Sequence, residues 1–426
     1  MEREKSKKQE LSLSDKEISR SLSSMAWRRL KRNKPAMFGL LIIVWFTIVA
    51  ILGALVRPDD TLDSDNQIHP IKGKKPGFNC TFLLLRTNEH VEETAFYEKM
   101  FFGGTRKQFI YIPISSFEFD GANINYAEFN SENTTGSYFG ANRLSENVAD
   151  VVYAVHPDSK IEQDDNGKLT FYDMDHNKIT RSIEELREDI RNTYIVHKTF
   201  WLGTDQQGRD LMSRLMAGTI VSLSVGLISV IISLVIGLFL GAIAGYYRGW
   251  VDDVIMWVIN VVWSIPTLLF VIAITLALGR GFSQVFIAVG LTMWVEVARI
   301  VRGQVMSIRE KEFIEAGKAL GFRSGRIIRK HVLPNVMGPV IVVSAANFAS
   351  AILIEAGMSY LGIGVQPPTP SWGSMIADHK AYFTTDLAYL AVLPGLCTSV
   401  LVLAFMLLGN GLRDALDTRS VDDIKG

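Results

Sequence analysis

The chain has 426 residues, 48% of them hydrophobic and 21% charged, with 44 basic side chains against 44 acidic ones. A zero formal net charge points to neither a nucleic acid nor an acidic substrate, and the length leaves room for two or three ordinary domains. The two cysteines, Cys80 and Cys397, fall in a polar stretch and an apolar stretch respectively, which argues against a disulfide framework.

The average hides a strong segregation. Residues 1–35 hold eleven Lys and Arg, five of them within Arg28 to Lys34, and form a basic amino-terminal segment. Pro35 then precedes an uncharged run, 36–56, long enough to cross a hydrocarbon layer as a helix. A cleaved signal peptide has a shorter lead and a shorter apolar run, so this stretch is expected to be a retained span.

Residues 57–200 read as an inserted α+β domain. QFIYIPISSFEFD (108–120) and KLTFYD (168–173) alternate as strands do. Ser182 and Glu185 open a helical stretch, 182–195, as a capping box. Asp164-Asp165-Asn166-Gly167 reads as a hairpin turn; a calcium loop would need other residues at its first and last positions. Residues 201–218 then predict an interfacial amphipathic helix capped by Asp205, with Leu211, Leu215 and Met216 on one side.

Five more apolar runs follow, at 219–245, 254–278, 283–306, 337–362 and 387–409, giving six transmembrane helices, five of them in the 219–416 core. The basic amino terminus sets that end in the cytoplasm. Counting forward puts 57–218 outside and the seven basic residues of loop 307–336 inside, with the 417–426 tail also cytoplasmic. Gly237, Gly241 and Gly245, and the run SAANFASA (344–351), supply small residues for close helix packing in lipid. Glu296 is expected to pair with Arg299 one turn on. Glu355 and Asn347 are the candidate pathway or intramembrane polar residues; Glu355 reads equally as a pathway-lining group or a hydrogen-bonded packing residue.

Loop 307–336 contains EAGKALGFRSGRIIRKHVLPN, Glu315 to Asn335. The pattern predicts one short helix over Glu315–Leu320 and a break at Gly321, where positive φ is allowed. A second helix over Arg323–His331 follows, with Ile327 and Ile328 on its apolar edge and Pro334 as its stop. On physical grounds alone such a pair could be a docking knob or a surface anchor on anionic lipid. No G-x-x-x-x-G-K-[ST], H-E-x-x-H, C-x-x-C or G-x-S-x-G occurs, so neither ATP binding nor catalysis by this chain is expected.

The spacing of Glu315-Ala316, Gly321 and His331-Val332-Leu333-Pro334 resembles the EAA motif of ABC-importer permeases. Gly317 and His331 depart from the usual alanine and isoleucine. Residues 26–43, LGTDQQGRD within 201–227, and GVQPPTPSWGSMI (364–376) are similar to the C-type subunits of the dipeptide/oligopeptide branch. The resemblance implies a type I permease core in a bacterial inner membrane, working as a transport subunit. It implies as partners a second permease, two cytoplasmic ATPases that use ATP and magnesium, and an extracytoplasmic peptide-binding protein. This chain itself would bind no cofactor. Within the loop, the resemblance assigns Glu315, Ala316, Gly317, Gly321, His331, Leu333 and Pro334 to ATPase coupling. Glu315 and Ala316 would seat the first helix, Gly321 would turn the chain, and Leu333 and Pro334 would fix the second helix to the next span. Nickel or an oligosaccharide are the alternative cargoes. A receptor would need a cytoplasmic output module, and a plain anchor would not need six spans. The resemblance fails at the insert, 57–200: the corresponding loop in the peptide permeases is usually far shorter.

Overall fold

The computed structural model describes residues 22–87, 104–105, 107–129, 143–153, 155–279 and 281–416. Most of the basic amino-terminal segment and the 417–426 tail lie outside the described residues. Helix α1 (Leu22–Arg32) leads through Asn33 into α2 (Lys34–Val56). The Asn33 side chain accepts the Ala36 amide at 3.1 Å, and Pro35 occupies the first turn, where its missing N–H costs nothing.

The insert is an α+β unit, as its alternating runs suggest. Strands β1 (Phe78–Arg86), β2 (Phe109–Asp120), β3 (Asn123–Glu128) and β4 (Arg143–Asn147) precede a short helix α3 (Val148–Val152). Then come β5 (Glu162–Gln163), β6 (Lys168–Tyr172), β7 (Lys178–Ser182), α4 (Ile183–Asp189) and β8 (Ile195–Phe200). They form an antiparallel sheet ordered β4-β3-β2-β1-β8 and a smaller one ordered β5-β6-β7. Strand β1, between β2 and the edge strand β8, buries Phe82, Leu83 and Leu84 on both of its faces, which explains its apolar run. The Asp164–Gly167 turn joins β5 to β6, with Gly167 at φ +74°. Ser182 does cap α4, but Glu185 turns to Arg181 at 2.8 Å, so the sequence's reciprocal box is only half made.

The root of the insert corrects one expectation. No separate interfacial helix occupies 201–218. Helix α5 (Leu211–Tyr247) starts at Leu211 and runs unbroken for 37 residues, capped by Asp210 through the Ser213 amide at 2.8 Å. Asp205 instead closes a tight turn by accepting the Gln207 and Arg209 amides, both at 2.9 Å, and the Arg209 Nε at 2.6 Å. Arg209 reaches on to Asp65 of the insert at 3.0 Å. Burial works against the Arg209 charge, but Asp205 and Asp65 outweigh it and the pKa rises. Leu211 and Leu215 are not a surface stripe; they are buried in the cluster that holds Trp372.

The third apolar run is also not one straight helix. It forms α6 (Gly249–Trp263) and α7 (Thr267–Leu278), bent by 93° at Ser264-Ile265-Pro266. Helix α8 (Phe282–Arg309) follows. With the broken pair counted as one span, the described residues contain six candidate crossings. The glycine ladder packs α5 on α8 as expected. A Cβ on Gly237, Gly241 or Gly245 would stand 2.5 to 2.7 Å from Val297, the Ala298 carbonyl and the Arg302 carbonyl. The expected Glu296–Arg299 pair does not form. Arg299 lies over the Trp263 ring at 3.4 Å, while Arg302 makes the ion pair, bidentate to Asp252 at 2.5 and 2.6 Å. An acid presented by the facing helix matches the guanidinium fork better than one on the same helix face.

After α8 come α9 (Glu312–Ala319) and α10 (Ser324–Ile327). A π-helical turn over Ile328–Val332 leads straight into α11 (Leu333–Tyr360). Pro334 therefore does not stop the second helix, as its lack of an N–H suggested. The wide turn, closed by the Leu333 amide on the Ile328 carbonyl, carries the helix past it. Helices α12 (Trp372–His379) and α13 (Tyr389–Leu416) complete the bundle.

Candidate functional site

The loop between α8 and α11 is a compact knob. Gly321 ends α9 in a Schellman motif: at φ +76° it donates to the Lys318 carbonyl, and Phe322 donates to the Gly317 carbonyl at 3.1 Å. That turn lays the Phe322 ring over Gly317, and an added Cβ there would meet the ring at an ordinary 3.5 Å. Phe322 also stacks on His331, with ring centroids 6.1 Å apart and planes 16° from parallel. The Arg326 guanidinium lies 4.4 Å from the same ring. The two short helices are thus clamped through one aromatic side chain.

An apolar seam holds the knob to the bundle. Ile314, Ile327 and Val332 are buried with Val305, Ile308 and Val336. On the outward side Phe313 and Leu320 are exposed, at 46% and 74%, with Ala316 and Glu315 exposed between them. The sequence-assigned residues therefore divide. Gly317 is buried, His331 and Leu333 are half-buried, and Glu315, Ala316, Gly321 and Pro334 face out. Against the bundle it is Ile314 that seats α9; Gly317 is covered by Phe322, and Glu315 and Ala316 stay open on the outer face. Phe322 was missed from the sequence, although an aromatic directly after the Gly321 break is the expected partner of a Schellman turn.

Glu355 and Asn347 lie apart from this knob, on α11. Both are buried within the chain. Ser359 Oγ donates to Glu355 Oε1 at 2.7 Å and itself accepts the Val365 amide at 3.2 Å, tying the helix to the loop that follows it. Among the described residues no hydrogen bond reaches Glu355 Oε2 or Asn347 Nδ2.

Residues 237–421 match the family described as "Binding-protein-dependent transport system inner membrane component". Residues 21–72 match the "N-terminal TM domain of oligopeptide transport permease C". The dipeptide transport system permease protein DppC of Alkalihalophilus pseudofirmus is 41% identical over 219 residues, 51% of this chain and 72% of that protein. The chain belongs to the binding-protein-dependent transport permeases. This permease is likewise 39% identical to the glutathione transport system permease protein GsiD of Escherichia coli over the same shares. An inward-facing structure of the MetNI methionine ABC transporter aligns with 49% of the permease and 98% of that chain, at 19% identity and a TM-score of 0.42. The permease is a multi-pass inner-membrane transport subunit rather than a catalytic enzyme.

Proposed function

We propose that the permease is the C-type subunit of an ATP-driven importer of short peptides, pairing with a second permease. Two cytoplasmic ATPases hydrolyse ATP with magnesium, and an extracytoplasmic protein delivers the peptide. This chain holds no cofactor. Both of its termini and the knob face the cytoplasm, and the insert faces outward, in line with the basic residues around Arg28 to Lys34.

The observation that carries this reading is the knob itself. It is locked internally by Phe322, fastened to α8 and α11 through Ile314 and Ile327, and presents Phe313 and Leu320 to whatever lies beyond. A lever must be stiff inside and adhesive outside, and these residues supply both properties. Nucleotide-driven closure of the ATPases would then move α8 and α11 together between two states.

Substitutions Glu315→Lys and Gly321→Pro test the reading in vesicles with the full assembly. Both variants should insert normally and lose peptide uptake. Undiminished uptake in both, or labelling of a thiol at Ser324 from outside intact cells, would reject it.

A further inference from the structure

Two arginines on α8 sit one turn apart and meet different fates. Arg302 is neutralised by Asp252 of α6 through two short hydrogen bonds. Arg299 meets the same helix and finds no acid there. Its guanidinium lies over the Trp263 ring at 3.4 Å and reaches Asn260 Oδ1 at 3.4 Å. Glu296, a further turn along, is exposed and makes no ion pair with it among the described residues.

The depth of Arg299 makes this costly. It lies ten residues from the end of α8 at Arg309, about 15 Å along the axis. Centred on a hydrocarbon layer about 30 Å thick, a helix of this length, about 42 Å, places Arg299 about 9 Å inside it. A cation at such a depth faces protein or a water-filled route, not acyl chains. The break at Ser264-Ile265-Pro266 follows Trp263 directly and interrupts the helical bonding of the same span. Non-helical backbone in a membrane makes the same demand. Two features of one small region, the intramembrane cation and the broken backbone, therefore place polar groups on this side of the bundle that only protein or a water-filled route can satisfy. Asn260 and Trp263 fix the guanidinium from one side, and among the described residues its remaining donors meet no other acceptor. A planar fork of donors matches a carboxylate.

We propose that Arg299 receives the C-terminal carboxylate of the transported peptide as it crosses, an inference that rests on the peptide-import reading above. Trp263 and Asn260 hold the fork in place. Arg302, already neutralised, sets the cytoplasmic limit of the charged step.

The test compares uptake of trialanine and trialanine amide into vesicles carrying the complete importer with its binding protein. Since the change lies in the permease alone, the binding protein's own preference cancels between wild type and variant. Arg299→Gln should raise the KM for trialanine roughly tenfold to a hundredfold, the range for losing a charged hydrogen-bonded contact. The KM for the amide should stay unchanged. Arg299→Lys keeps the charge without the fork and should fall between. It also carries the test if the glutamine variant does not assemble. An unchanged trialanine KM overturns the inference. So does an equal loss for both peptides, the result expected if Arg299 pairs with an acid of the second permease. Uptake of neither peptide by the wild-type assembly rejects the import reading and the inference with it.

Discussion

The Phe322 ring is parallel to the His331 imidazole within 16°, and this contact joins the two halves of the knob. Because Gly321 turns the chain between them, the clamp is formed across the turn rather than along either helix. Replacing Phe322 with alanine removes the stack, the Arg326 contact and the cover over Gly317 together. The ring is half-buried, so the cost should be roughly 2 kcal/mol, below the range for a fully buried phenylalanine. Membrane insertion should survive while ATPase association weakens, as read by co-purification in mild detergent. Phe322→Tyr should restore it.

Gly317 and Gly321 should respond in opposite directions. Gly321 lies at φ +76°, where alanine costs about 1–2 kcal/mol. Gly317 is helical, with only the Phe322 ring near, so alanine there gains about 1 kcal/mol of helix propensity. Gly321→Ala should therefore lower ATP-driven uptake, and Gly317→Ala should leave it equal or higher.

The seam between α5 and α8 leaves no such latitude. A Cβ at Gly241 would sit 2.5 Å from the Ala298 carbonyl oxygen, a backbone atom that cannot rotate away. Gly241→Leu should reduce the yield of folded permease severely, measured by size-exclusion in detergent. Gly303→Ala, with no atom within 4 Å of its added methyl, should not.

The insert carries two acids, Glu146 and Asp150, whose pKa values are raised, chiefly by burial, and for Glu146 also by its neighbour Asp150. Their folded values lie above the unfolded ones, so the folded insert keeps protons that the unfolded chain has released. Its stability is lowest above those folded values and recovers as pH falls through them toward the ordinary carboxylate range near ~4. Hydrogen exchange of β3 and β4, corrected for intrinsic rates, should slow on mild acidification. The double variant Glu146→Gln, Asp150→Asn should flatten that response.

Much of the bundle was legible because its determinants are local. Run length marks the spans, the glycine spacing marks a close-packing face on α5 although not its partner, and a glycine between two short polar helices marks the knob. What stayed hidden depends on partners distant in the chain. Asp205 looks like a cap until Arg209 and Asp65 close around it. Arg299 looks paired by its spacing to Glu296, until α6 presents Asp252 to Arg302 and Trp263 to Arg299. The bend at Pro266 was concealed in a run that is apolar on both sides of it, where hydropathy carries no information about direction.

The insert does not hang from a slack tether. Asp59 accepts nothing from α5 but donates its own amide to Ser213 Oγ at 2.9 Å, Asp65 holds Arg209, and the Lys74 carbonyl takes the Thr204 amide and the Tyr389 hydroxyl. These bonds weld its base to the heads of two membrane helices, α5 and α13. Any force applied to the sheets is accordingly delivered to the rods beneath them, as a handle delivers torque to its shaft.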